Sequence, residues 1–174
     1  MISEKAKRFK KAYRLEWKLS SQKEAFVKLL FESLGFKVVP YGLGVMEERT
    51  KNTVGSRPDF KILDSQGNVL FYVEVTGDNF YRKGKEKYIT YDKVKKYRFI
   101  KEPVLFIYLG LKDGKLVEAC FTDLRSVLKY AANRMYHRYK ETKWGTIEHF
   151  VYIPEFEWKP LNELAHELKT MRSE

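Results

Sequence analysis

The sequence has a single cysteine, Cys120, among 174 residues. A lone thiol closes no internal disulfide, no four-thiolate zinc site and no iron–sulfur cluster. Histidine is scarce, and His137, His149 and His166 show no metal-ligand spacing. Any metal held by this chain is therefore expected to take oxygen ligands, which points to magnesium, calcium or manganese. No stretch approaches the roughly 20 apolar residues needed to span a bilayer. The start, Met1-Ile2-Ser3-Glu4-Lys5, is charged and lacks an apolar signal core, so a cytoplasmic protein is expected. There is no internal repeat and no low-complexity segment. What remains is 44% hydrophobic and 33% charged, the balance of one soluble domain with a real core.

Acidic charge is in deficit, and the net charge is +11. Residues 1–18 hold seven Lys/Arg against two Glu, a net +5. Residues 81–101 hold nine Lys/Arg against two acids, a net +7. The rest of the chain is close to neutral, so the excess sits in two segments. Aromatics are interleaved in both: Phe9, Tyr13 and Trp17, then Tyr81, Tyr88, Tyr91 and Tyr97. Concentrated cations with rings between them fit nucleic acid, although Tyr88 and Tyr91 read first as packing residues. A solvated lysine-rich surface is the plainer reading of either run taken alone.

The pattern predicts a basic arm or helix over 1–18 and one domain over 19–174. Ser20-Ser21 offers an N-cap before a helix carrying Phe26, Val27, Leu30, Phe31 and Leu34, with Gly35 at its end. Short strands are expected at 36–41 and 58–63, separated by a polar loop over 42–57. The turn cluster 64–68 then leads into the apolar strand 69–75, which makes a hairpin with the strand before it. A second helix is expected over 85–100, a buried strand over 104–109 and a strand near 115–121 after Asp113-Gly114. A third helix should run from Thr122 or Asp123 to about Lys140, with Leu124, Val127, Leu128, Ala131 and Met135 as its stripe. Its end would gather Arg134, His137, Arg138 and Lys140. A strand near 148–153 and a helix near 161–171 close the chain. The order is helix, three strands, helix, strand, then additions: an α/β fold with a mixed central sheet flanked by helices.

Two acids stand out. Asp59 follows Pro58 at the start of one strand, and Glu74 lies near the end of the next. The hairpin puts both at one end of the sheet, where they could share a divalent cation with the Val75 carbonyl as a further oxygen. Glu74 interrupts an apolar run, where an unpaired charge is costly. Glu24 has two readings: Ser21 and Glu24 match a capping box, and Glu24 also shares a helical face with Val27 and Phe31. On the second helix Lys93 lies inside the arc of Ile89, Tyr97 and Ile100, with Lys96 at its margin. An inward lysine either snorkels to water or has a partner.

Glu24, Pro58-Asp59 and Glu74-Val75-Thr76, in this order, resemble the PD-(D/E)XK nuclease superfamily. Lys93 and Tyr97, four apart on a basic helix, resemble the Gln-xxx-Tyr feature of its RecB-type members. The resemblance covers roughly residues 20–109 and is nearest in flavour to small archaeal or viral nucleases and Holliday junction resolvases. It implies a restriction-endonuclease-like core and a Mg-dependent nuclease, using Mg2+ or Mn2+, that hydrolyses phosphodiester bonds, in DNA before RNA. Asp59 and Glu74 would hold the metal, with Glu24 acting through a water or a second ion. The family lysine falls two residues after the acid, where this chain has Thr76. Lys93 is then the candidate replacement, with Lys96 and Lys87 behind it. Arg57, Lys83, Lys85, Lys87 and Lys96 would meet the backbone of the nucleic acid, joined by Lys10, Lys11 and Arg14 of the arm. Junction cleavage would favour a homodimer. The alternatives are a catalytically degenerate nucleic-acid-binding protein of the same fold, favoured by Thr76, and a protein–protein scaffold with an incidentally basic surface.

Overall fold

The computed structural model describes residues 4–42, 57–142 and 145–172, with side chains for all of these except 4–10, 12, 13, 17, 171 and 172. The 43–56 stretch of the expected loop thus lies outside the described residues.

The first helix, α1 (Glu4–Ser33), is longer than expected and runs unbroken through Ser20-Ser21. No cap forms there, because the basic segment is itself helical and supplies the preceding turn. The capping-box reading of Ser21 and Glu24 is thereby corrected. Val27 and Phe31 are fully buried, whereas Phe26 is 39% exposed. The buried face is therefore the row Lys23, Val27 and Phe31, flanked by Leu30 and Leu34. Gly35 ends the helix at φ 87°, with the Phe36 N–H donating to the Phe31 carbonyl at 3.1 Å. That six-residue closure needs the left-handed backbone that glycine adopts freely.

Strands β1 (Lys37–Pro40), β2 (Phe60–Leu63) and β3 (Val69–Asp78) pair antiparallel in sequence order. In the β2–β3 turn the Asp64 carboxylate accepts the backbone N–H groups of Gln66 and Asn68. The chain then crosses over through β4 (Lys87–Thr90) and α2 (Tyr91–Tyr97) and returns as β5 (Val104–Lys112), parallel to β3. Asp113 and Gly114, both at positive φ, turn β5 into β6 (Lys115–Asp123). After β6 come α3 (Leu124–Ala131), β7 (His137–Glu141), β8 (Ile147–Ile153), the two-residue β9 (Lys159–Pro160) and α4 (Leu164–Arg172). The main sheet is ordered β1-β2-β3-β5-β6-β9, and β4-β8-β7 form a second sheet.

β5 explains its own composition. Leu105, Ile107 and Leu109 face a core shared with α1 and α4 through Val27, Phe31, Leu164 and Leu168. Val104, Phe106 and Tyr108 face a second core with α2, α3 and the second sheet. A strand covered on both sides reads as one apolar run.

Three expectations are corrected. One sheet becomes two. The second helix begins at Tyr91, since Lys87 to Thr90 alternate buried and half-buried as a strand, with Ile89 paired to Val151. The third helix ends at Ala131, beyond which the Asn133 side chain accepts the Met135 N–H and the chain turns into β7. Arg134, His137, Arg138 and Lys140 therefore do not cluster at a helix end, and Met135 is exposed.

Gly77 sits opposite Leu109 in the parallel pair at φ 148°. A Cβ there would lie 1.9 Å from the Leu109 carbonyl oxygen, which belongs to a central strand and cannot yield. Gly77→Ala is expected to cost about 3 kcal/mol or more, read as a lowered midpoint in urea denaturation.

Candidate functional site

The β2–β3 hairpin places its two acids as expected. Phe60 pairs with Val73, so Asp59 and Glu74 are each one residue beyond that pair, at the same end. Asp59 is anchored by its backbone and side chain. Its carbonyl accepts the N–H groups of Tyr41 and Gly42, and its Oδ2 accepts the Val75 N–H at 2.7 Å.

Glu74 is only 2% exposed. Its burial is compensated from α2: Oε1 is ion-paired to the Lys93 ammonium, and Oε2 accepts the Tyr97 hydroxyl at 2.8 Å. Lys93 and Tyr97 are one helical turn apart and address the two oxygens of one carboxylate. The Tyr97 ring stacks on Phe106, the strand partner of Glu74 in β5, with centroids 6.2 Å apart. Burial opposes the charge on Lys93, but Glu74 and then Asp59 outweigh it, so its ammonium is held above the ordinary lysine range. Burial and the Glu74 charge push the Tyr97 hydroxyl far up.

Glu24 reaches the same place from α1. Burial and Glu74 raise its carboxyl, while a side-chain hydrogen bond to Asp59 acts the other way. Two carboxyl groups share a hydrogen bond only if one is protonated. Asp59 is raised as well: burial first, then the Glu74 charge, put its carboxyl well above the ordinary range. Glu24, Asp59 and Glu74 thus lie close enough for their charges to act on one another and on the ammonium of Lys93.

Sequence reasoning missed a second amine. Lys23 is 8% exposed. Burial lowers its affinity for a proton, against the charges of Asp78, Glu24 and Asp59. Its place four and eight residues before Val27 and Phe31 could have marked it as inward. The capping reading of Ser21-Glu24 obscured that signal by treating this turn as a helix end. Asp78, at the end of β3, was also not singled out; it is ion-paired to Lys85 and accepts the Phe80 N–H.

Other predicted residues lie apart from this cluster. Lys87 is corrected outright: it is 3% exposed and bonded to Glu118 at 2.8 Å and Glu155 at 2.6 Å, so it cannot track a nucleic-acid backbone. It faces inward because residue 87 is on a strand rather than a helix. Lys96 is on the surface, 2.9 Å from Asp92. Lys83, Lys11 and Arg14 are exposed, and Arg57 lies over the Tyr41 ring at 5.1 Å. The Lys10 side chain lies outside the described residues. His137 is bonded to His149 and the Ala131 carbonyl, at 2.6 and 2.7 Å.

Among the described residues no three His, Cys, Asp or Glu side chains are drawn together as a metal cage. The donor chemistry nevertheless fits a hard divalent cation. The facing groups are carboxylate oxygens, and their mutual charge disfavours ionisation in a way that a bound cation would relieve.

No family model matches the sequence, and no curated protein matches it. Among solved structures it is similar to the Holliday junction resolvase Hjc of the archaeal hyperthermophile Archaeoglobus fulgidus. The TM-score is 0.47 at 12% identity, over 84% of this chain and 95% of that one. The architecture itself is a mixed α/β fold: helix, antiparallel triple, crossover and parallel strand, in the order expected for its core. No helix among the described residues is long and apolar enough to cross a membrane.

Two outcomes follow. A carboxyl raised in the fold contributes stability below its raised pKa and loses it as pH climbs through that value. The metal-free protein should therefore lose stability from weak acid toward neutrality. Asp59→Asn should flatten that dependence and raise the neutral-pH midpoint, measured by urea denaturation across pH. Separately, Lys87→Ala strands Glu118 and should cost about 3 kcal/mol in the same assay.

Proposed function

We propose that this chain is a metal-dependent nuclease that hydrolyses phosphodiester bonds of nucleic acid, DNA before RNA. The observation that supports it is the buried Glu74 carboxylate, grouped with Asp59 and Glu24 and faced by Lys93. A structural ion pair alone would not need the further acids Glu24 and Asp59 beside it, both with carboxyls raised. In this reading Asp59 and Glu74 hold Mg2+ or Mn2+, with the Val75 carbonyl as a further oxygen.

A bound divalent cation supplies Lewis acidity and a more acidic water. The protein's own share is positional. The Val75 N–H fixes one oxygen of Asp59, and the Tyr97 hydroxyl fixes one of Glu74. Glu24 accepts or returns a proton across its bond to Asp59. Lys93 offsets negative charge at the site and is placed to steady an oxyanion there. Lys23 adds a second positive charge beside the acids, from the opposite element. Thr76, where the resembled family carries lysine, lacks a charge for this task, and the two helical lysines take it over.

A second reading is a degenerate nucleic-acid-binding relative. Thr76 favours it, as does Glu74, both of whose oxygens are already engaged. Cleavage separates the two. Labelled single-stranded, duplex and four-way-junction DNA, and a matching RNA, would be incubated with Mg2+, Mn2+ or EDTA. The nuclease reading expects cutting with metal, none with EDTA, and a loss of roughly 100-fold in Glu74→Ala and Lys93→Ala, with folding checked by circular dichroism. Binding without cutting on every substrate favours the degenerate reading. Sedimentation in the same buffers tests the homodimer.

A further inference from the structure

The outer face of the second sheet takes no part in the site above. Alternation along β4 and β8 sends Ile89, Val151 and Ile153 into the core. The same alternation turns Tyr88, Phe150 and Tyr152 to the opposite face. Register sets them side by side, Tyr88 across from Tyr152 and Phe150 between Thr90 and Arg138. The Tyr88 ring lies 5.9 Å from Phe150 and 6.1 Å from Tyr152. All three are half-buried, so each ring keeps open surface.

Cations accompany the rings. The Lys140 ammonium is 3.8 Å from the Tyr88 centroid, and the Arg138 guanidinium is 5.4 Å from that of Tyr152. Both come from β7 and point to the same side as the rings. Two acids border them. Glu86 accepts the Tyr88 hydroxyl and lies 4.0 Å from Arg138, and Glu148 pairs across from Lys140.

The face adjoins a groove of about 600 Å³ lined by Tyr81, Lys83, Lys85 and Tyr152 together with the acids Glu86, Glu118 and Glu155. Lys85 is ion-paired to Asp78, and Asp78 is the leading charge acting on Lys23 of the acidic site.

We propose that this sheet face is a stacking platform for a single strand of nucleic acid. Bases present flat π-faces that stack on open tyrosine and phenylalanine rings, as on other aromatic-bearing sheets. The backbone of one strand can follow Lys83, Arg138 and Lys140. A duplex hides its base faces and would bring a second phosphate backbone over Glu86 and Glu148. The proposal names a substrate class for the nuclease reading and rests on that reading only for the fate of the bound strand. Binding on the face requires no cleavage.

The test therefore runs in EDTA. Fluorescence anisotropy of the full chain with labelled oligo-dT and oligo-U, and with a duplex of equal length, would compare three proteins. Tyr88→Ala combined with Tyr152→Ala should weaken single-strand binding about tenfold or more and leave duplex binding unchanged. Tyr88→Phe combined with Tyr152→Phe keeps the rings and should keep the affinity. Equal affinities in all three proteins, or equal losses for strand and duplex, would overturn the platform. So would a change of oligomeric state in the alanine variant, which would assign the face to a second copy of the chain. If the alanine variant does not fold, the wild type decides alone. Photo-crosslinking to a halogenated-uridine strand, followed by peptide mapping, should mark β4 or β8. Crosslinks confined to α1 and α2 would refute the proposal. Neither readout depends on whether the protein cuts.

Discussion

The rest of the structure is arranged around the burial of one negative charge. Glu74 sits in β3, the third of six strands, with almost no access to water. An unpaired carboxylate there would cost several kcal/mol. Lys93 and Tyr97 offset that cost only if α2 docks with one particular turn over the middle of the main sheet. That requirement fixes the helix, and the helix fixes the crossover that brings β5 alongside β3. The second sheet follows, because β4 enters α2 directly and must pair with β8 where it lies. The pairing of buried Glu74 thus constrains the fold at long range.

The parts of this arrangement legible in the sequence were those where a charge broke an apolar pattern. Glu74 in its strand and Lys93 on its arc were both conspicuous, and each is the other's partner. Asp59 was placed by hairpin logic, which needs only a short turn and two strands of matching length. β5 was legible because nothing polar interrupts it. The core order of helix, three strands, helix and strand followed from these elements.

What was not legible lay where two periodicities compete. Residues 87–90 hold too few side chains to tell a strand from the first turn of a helix, and the partner that decides, β8, is some 60 residues further on. The same ambiguity extended the third helix past Ala131 into β7. Lys87 was misjudged as a consequence: the sign of its charge was plain, but the face it occupies depends on which period is right. Lys23 was missed for the opposite reason. A strong local signal, serine followed three residues later by glutamate, offered a sufficient reading of a turn that tertiary packing uses otherwise. The outer face of the second sheet could not be foreseen, since it is created by β4 and the distant β7–β8 hairpin.

The parallel pairing of β3 with β5 has a consequence for folding. Register contacts from Tyr72–Val104 to Asp78–Gly110 span about thirty residues, and nothing local rewards closing that loop early. Glu74 meets Lys93 only once the crossover is docked, and Glu24 reaches them only when α1 has packed on the finished sheet. A chain still emerging or partly folded therefore carries the acids without their cationic partners and without a shared pocket. The grouping of these acids with their partners therefore exists only in the fully assembled molecule, and the order of folding sets when it appears.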